Sequence, residues 1–431
     1  MTSKFAGPLI FGMICLSILH DIAGGEQGAF LYLLAGISSW LAALLLLPTL
    51  GKIQLLQAGV IAGVGLLLLM LAWTAGGSLN ISSVVSKNAS LVAMIASVGF
   101  LRLITLTGGA DKQLPTGPGA YFKTLFGVSL FATVINISAP ILFADRLYAE
   151  NKLTRFASTS ITRVFSGCSG WSPFFGGMAA ILTYVPEVSL LVVMAACLPF
   201  TLVGLLVVCL EAWYRKRRLV DDFSGYPVRF NSLWIPVSLS LLVMSISALA
   251  PHWSILTSIS LASLLLTITV LVTRVGMQGF KVVKQHIDNQ LPRMINELLL
   301  FLVAGVLAQG LASIVSTGQL SVPAFQFGVI EAVLLLTVMI VISAVGVHPV
   351  VVVAGVTPLL LTMDPAPNLL AIVYLLAWSL GTCASPLSGT HLVFQGRYGI
   401  PSWRGALWNW PYVGVMLLLA FPFLALVNMV V

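Results

Sequence analysis

The sequence predicts an all-α polytopic membrane protein with about 10–12 membrane segments in two inverted repeats, each with a polar knot and a broken helix. Three observations lead there. Of 431 residues, 59% are hydrophobic and only 8% charged, against roughly 25% charged in soluble domains. Runs such as "AGVIAGVGLLLLMLAWTAGG", "VSLLVVMAACLPFTLVGLLVVCL" and "SILTSISLASLLLTITVLV" match a hydrocarbon core about 30 Å thick, which takes about 20 helical residues to cross. Finally, two apolar regions are interrupted by glycine, proline and hydroxyl residues in the same order.

Uninterrupted spans are expected at about 5–22, 28–48, 55–78 and 90–108, then 187–213, 234–250 and 253–273, and last 294–315 and 407–430. The first follows Lys4 closely and lacks a small-residue cleavage site, so it reads as a retained span. The five cysteines, Cys15, Cys168, Cys197, Cys209 and Cys383, lie in apolar or hairpin-like segments without metal-ligand spacing. They read as buried thiols with no disulfide framework, and no metal site is expected.

A net charge of +8 would suggest nucleic acid in a soluble protein; here it is ascribed to basic cytoplasmic loops. The segment "YRKRRLVDDFSGYPVR" (214–229) is the strongest cytoplasmic marker, and two short spans later "RVGMQGFKVVKQHIDNQLPR" (274–293) is basic again. Counting backwards places 20–28 outside, and Lys52 with Arg102, Lys112 and Lys123 inside. The N-terminus is then cytoplasmic and the C-terminus external, in a bacterial inner membrane. Within 274–293, "FKVVKQHI" reads as an interfacial amphipathic helix in a hinge between two halves. The organisation expected is N-terminal spans over 1–89, a first repeat over 90–213, basic loops with two linking spans over 214–293, and a second repeat over 294–431.

Each repeat contains a polar knot and then a Ser-Pro break. In the first, Asn136-Ile137-Ser138-Ala139-Pro140 interrupts an apolar run, and "FSGCSGWSPFFGGMAAIL" comes after it with Gly167, Ser169, Gly170, Ser172, Pro173, Gly176 and Gly177. In the second, Ser343 to Pro349 forms the knot, and the break near 381–391 carries Gly381, Thr382, Ser385, Pro386, Ser388, Gly389, Thr390 and His391. Proline removes a donor and clashes with the preceding turn, while glycine lets the chain leave helical geometry. In hydrocarbon each freed backbone group costs several kcal/mol unless it is buried in protein or lines a wet cavity. Broken helices place helix ends inside the membrane, where N-termini suit an anion and unwound carbonyls with hydroxyls suit a small hard cation.

In this order of elements the chain resembles the ion-transporter superfamily, and within it most the divalent anion/sodium symporters. The hairpin tips of that family would correspond to 136–140 and 343–349, and its broken-helix loops to 169–177 and 385–390. The resemblance implies that Asn136, Ser138, Ser343 and His348 line a substrate site. Ser169, Ser172, Ser385, Ser388 and Thr390 then lie near the substrate or a cation, with Thr382 in the same break. It also implies alternating access by rigid sliding of a transport part, in a homodimer.

Other ionisable residues are read individually. His348 is either a donor to an anion or a packed core histidine, and His391 reads as a structural partner of the second break. Glu331, inside "FGVIEAVLLLT", is a functional candidate for cation coupling because ionisable groups inside membranes are costly. Glu297 and the His20-Asp21 pair read as interfacial. Arg155 and Arg163 read as cytoplasmic-face anchors, with a carboxylate clamp as the alternative.

The function expected is a secondary active transporter that moves a small anion, a carboxylate or similar, coupled to Na⁺ or H⁺ by alternating access. No cofactor beyond the coupling ion is called for; the partners are the anion and the lipid bilayer, without nucleic acid. The absence of a Walker A sequence argues against a nucleotide-driven pump on this chain. The alternatives are a cation/proton antiporter or oxyanion exporter of the same superfamily, and a membrane enzyme or complex subunit. An enzyme would concentrate His, Asp or Glu at one depth, whereas the five histidines are scattered.

Overall fold

A computed structural model describes residues 3–105, 115–148, 153–225, 234–320 and 326–430. Lys112 and Arg229, two of the basic residues used for sidedness, lie outside the described residues. Among those described, the named elements are all helices, with one isolated bridge between Thr116 and Ser224. Ten helical stretches are long and apolar enough to cross a membrane. The chain is an all-α integral membrane protein.

It packs as two compact units, each drawn from three stretches of sequence: Met1–Leu106, Val237–Phe325 and Val353–Asp364 for the first, Thr107–Pro236, Gln326–Val352 and Pro365–Val431 for the second. Helices α1 (Ser3–Ala23), α2 (Gly25–Leu46), α3 (Lys52–Thr74), α4 (Ile81–Ser86), α5 (Ala89–Val98) and α6 (Arg102–Thr105) open the first unit. Helices α7 (Pro118–Ile135), α8 (Ser138–Leu147), α9 (Arg155–Cys168), α10 (Gly176–Tyr184), α11 (Leu190–Arg215) and α12 (Arg217–Asp221) begin the second. The chain returns to the first with α13 (Trp234–Leu249), α14 (Ile255–Val275), α15 (Gln278–Asn289) and α16 (Ile295–Ser316). Then come α17 (Val329–Ala344), α18 (Pro349–Leu360), α19 (Pro367–Ala384), α20 (Gly389–Tyr398) and α21 (Ser402–Val430). All of these except the later part of α18 belong to the second unit.

In the first unit the turn between α1 and α2 is made by Gly24 and Gly25 at φ +61° and +52°, a region open to glycine without a Cβ clash. Helices α3 and α16 approach through small residues. A Cβ on Gly65 would lie 2.8 Å from the Leu307 nitrogen, and one on Gly310 would lie 2.5 Å from the Gly65 carbonyl. Without a hydrophobic drive in lipid, such close backbone packing is what joins membrane helices. The fourth span begins at Ile81, earlier than the hydropathy pattern indicated. Asn80 caps α4 by accepting from Ser83 N at 3.0 Å, and Asn88 Nδ2 donates to the Phe301 carbonyl at 2.6 Å. These hydrogen bonds let polar residues interrupt the apolar run without ending the span.

The second unit contains the repeat apart from the later part of α18. Helices α7, α8, α9, α10 and α11 are matched in the same order by α17, α18, α19, α20 and α21. Packing repeats too: α7 lies on α9 as α17 lies on α19, and α9 lies on α11 as α19 lies on α21. Both long last helices contain proline, Pro199 in α11 and Pro411 and Pro422 in α21. They pack on each other where Gly204 leaves room: a Cβ there would lie 2.6 Å from the Tyr412 hydroxyl. The second interruption is narrower than expected from sequence. Helix α19 continues through Gly381 and Thr382 to Ala384, so only 385–388 is unwound.

Candidate functional site

The site is built from four polar segments of the second unit: the turns after α7 and α17 and the interruptions after α9 and α19. Helix α7 ends at Asn136, whose φ of +49° lies where asparagine is several-fold enriched among non-glycine residues. Ser138 then opens α8, with both residues half-buried. The turn after α17 passes through Gly346 at φ +105°. A Cβ there would also press on Leu387 Cδ1 at 3.0 Å, so this turn abuts the second interruption. The first turn reaches the same place, since Ile137 Cδ1 lies 3.1 Å from the Cβ position of Gly389.

The first interruption, 169–175, packs on α19. A Cβ on Gly170 would lie 3.5 Å from Ser379 Cβ, and one on Gly177 would lie 3.0 Å from Trp378 Cδ2. Trp378 in turn holds His348 edge-on, with ring centroids 5.1 Å apart. Where α9 and α19 cross, Ser166 Oγ donates to the Ser379 carbonyl and Ser379 Oγ donates back to the Ser166 carbonyl at 2.8 Å. The four segments therefore converge within one unit, around the stretch from Trp378 to His391.

Most of the hydroxyls have local partners. Ser172 Oγ donates to the Thr133 carbonyl at 2.6 Å, and Ser169 Oγ to the Ser166 carbonyl at 2.6 Å. Ser385 Oγ accepts from Leu387 N at 3.2 Å, while Thr382 Oγ1 bonds back to the Trp378 carbonyl at 2.8 Å. Ser388 is the N-cap of α20 and accepts from His391 N at 3.4 Å. His348 Nδ1 accepts from Val350 N at 3.2 Å. Two hydroxyls differ. Ser343 Oγ and Thr390 Oγ1, on residues 0% and 1% exposed, have no hydrogen-bond partner among the described residues. Burying a hydroxyl unpaired costs about 1–3 kcal/mol; Ser17, Thr162, Ser247, Ser263 and Thr267 are left in the same state elsewhere, so it is their place in the cluster that sets Ser343 and Thr390 apart.

Glu331 lies elsewhere. It sits in the first turn of α17, where its carboxylate accepts from Gly328 N at 2.9 Å, a capping role that accounts for an acid at that point. Arg163, expected as a cytoplasmic-face anchor, lies within the packing. It is 4% exposed, donates through Nε to Asn409 Oδ1 at 2.9 Å and through Nη2 to the Trp408 carbonyl at 3.0 Å, and pairs with Glu211. Arg155 instead lies over the Trp408 ring, 5.2 Å from its centroid. Sequence reasoning missed Ser166, Ser379 and Asn409. Only Asn409 left a signal, as an amide inside the apolar run "LWNWPYV".

No protein-family model matches the chain, and neither does any curated protein sequence. Among solved structures, the chain is similar to the Alcanivorax borkumensis YdaH transporter, with a TM-score of 0.53 at 14% identity, covering 86% of this chain and 98% of that one. At that identity the likeness is one of fold, extending over most of both chains.

Proposed function

We propose that the protein is a secondary active transporter for a small anion, a carboxylate or similar, driven by Na⁺ or H⁺. The observation that carries this reading is the convergence of two interrupted helices and two turns around two buried hydroxyls, Ser343 and Thr390, that lack protein partners among the described residues. Helices α10 and α20 start inside this cluster, and their N-terminal N–H groups favour an anion without burying a full positive charge. Asn136, Ser138, Ser172, Ser343, His348, Ser385, Ser388 and Thr390 form the substrate side of the reading. The carbonyl ends of α9 and α19, with Ser169 and Thr382, form the cation side, because hydroxyl and carbonyl oxygens suit a hard cation.

The shared fold with the YdaH transporter supports the class, and the repeat of five helices supports two inverted, re-entrant halves working by alternating access. In a bacterial inner membrane with the N-terminus cytoplasmic, about 2.3 kcal/mol per charge per 100 mV would be available to drive uptake. A homodimer fits the same reading.

The test is uptake by the purified protein in sealed vesicles. Labelled mono- and dicarboxylates are offered under an imposed Na⁺ gradient, then under a pH gradient. Accumulation that collapses with the matching ionophore is expected. No accumulation of any offered anion under either gradient overturns the reading.

A further inference from the structure

A continuous polar chain runs through the second unit from the end of α11 to the interruption after α19. Lys216 Nζ lies 2.7 Å from Glu211 Oε1, and the other oxygen of Glu211 pairs with Arg163 Nη1. Arg163 Nε donates to Asn409 Oδ1 at 2.9 Å, and Asn409 Nδ2 lies 3.3 Å from His391 Nε2. His391 Nδ1 reaches the Ser385 carbonyl at 2.8 Å and Ser388 Oγ at 3.0 Å. Arg163, His391 and Asn409 are all within 4% of complete burial.

Hydrogen-bond valence fixes the protons on the Asn409 amide and the His391 ring. An arginine only donates, so the atom of Asn409 facing Arg163 is its oxygen. The amide nitrogen is fixed independently, because it donates to the Gly405 carbonyl at 2.9 Å. Its remaining hydrogen points at His391 Nε2, which must therefore present a lone pair. A carbonyl only accepts, so Nδ1 carries the ring proton toward Ser385. The two ends agree on one species, the neutral Nδ1–H imidazole. Protonating Nε2 would set N–H against N–H, and turning the Asn409 amide over would set its NH₂ against Arg163 Nε–H.

We propose that Asn409, oriented jointly by Arg163 and the Gly405 carbonyl, holds His391 as the neutral Nδ1–H tautomer and thereby sets the shape of the 385–388 interruption. Arg163, Asn409 and His391 are positioning residues for the site whose Ser385 and Ser388 would meet substrate; what that site binds rests on the transporter reading, whereas the relay does not. The charged and titratable groups along it include Arg163 on α9, Glu211 on α11 with Lys216 just beyond its end, Tyr121 on α7 and Cys383 on α19, and Tyr412 on α21, whose ring centroid is 5.1 Å from the Arg163 guanidinium carbon. Gly405 makes the close approach possible, since a Cβ there would lie 2.7 Å from His391 Cδ2. Lysine cannot replace Arg163, because it has no fork that serves Asn409, Trp408 and Glu211 together.

The experiment is ¹⁵N NMR of ring-labelled histidine in the purified full chain, with His391→Gln assigning the resonances. Wild-type His391 is expected to be the Nδ1–H tautomer at pH 7. In Asn409→Asp the carboxylate accepts from both neighbours, so His391 should carry both ring protons at the same pH. A wild-type Nε2–H tautomer, or an unchanged His391 spectrum in Asn409→Asp, overturns the relay. If that variant does not fold, Asn409→Leu, which removes the donor to His391 Nε2, decides beside the wild type. It should mix the tautomers and lower vesicle uptake at least about tenfold, the scale of one charged hydrogen bond, while a wild-type spectrum with wild-type uptake refutes the positioning role. Absence of any uptake by the wild type would defeat the transporter reading and leave the tautomer result standing.

Discussion

Replacing Gly381 by alanine sets two known effects against each other. In an open helix, glycine to alanine stabilises by about 0.8–1.0 kcal/mol. At Gly381 the added Cβ would lie 2.8 Å from Ser343 Oγ, 3.1 Å from Ser343 Cβ and 3.5 Å from Pro349 Cγ. Rotating the Ser343 hydroxyl moves Oγ but leaves Cβ too near, and Ser343 is fully buried. Overpacking of this kind costs about 1–3 kcal/mol, so the net change is a loss of about 1 kcal/mol. Gly396 in α20 is the internal control, since nothing lies within 4 Å of its Cβ position; its alanine variant should gain the full propensity term of about 1 kcal/mol. The two variants then differ by about 2 kcal/mol in equilibrium unfolding from mixed detergent micelles. Ser343→Gly added to Gly381→Ala removes both offending atoms and should recover part of the loss. Gly381→Ala as stable as Gly396→Ala, or no recovery in the double variant, would refute the packing argument.

Thr390→Val keeps shape and removes an unpaired buried hydroxyl, so the ligand-free protein should gain about 1 kcal/mol while anion uptake in vesicles falls; a loss of stability would mean the hydroxyl is paired. Ser166→Ala and Ser379→Ala each remove one of two reciprocal bonds and should each cost about 0.6–1.7 kcal/mol, the range for interhelical bonds in membranes, with a double-mutant cycle reading any coupling between them. Strict additivity would show that the two bonds act separately. Asp145 takes two bonds from Arg397, at 2.6 and 2.7 Å, and one from the Tyr398 hydroxyl at 2.7 Å. The ion pair is solvent-exposed, so Arg397→Gln should cost less than about 1 kcal/mol, and the cost should shrink further in high salt.

The interruptions were legible in the sequence because they are made by residues whose backbone chemistry is local. Pro173 and Pro386 lack a donor, the neighbouring glycines permit the turn, and Ser388 caps α20 directly after the second break. Their extent was less legible. Gly381 and Thr382 look like breakers, yet Thr382 bonds back within its own helix and Gly381 is needed for close packing rather than for unwinding. The beginning of the fourth span was hidden because Asn80 and Asn88 depress hydropathy while their amides are satisfied by a cap and by α16. The burial of Arg163 was hidden for a related reason, because it depends on Asn409 and Glu211, which are 246 and 48 residues away. Glu331 shows the converse, an acid that looks membrane-embedded in the sequence and serves as a cap in the fold.

Helix α19 is enclosed by α9, α10, α11, α17 and α21, and nearly every side chain from Leu369 to Ala384 is buried. A rod gripped on all sides has no independent freedom: it cannot roll or slide without carrying its five neighbours along. A cross-link between α19 and α9 should consequently leave the packing inside the second unit unchanged.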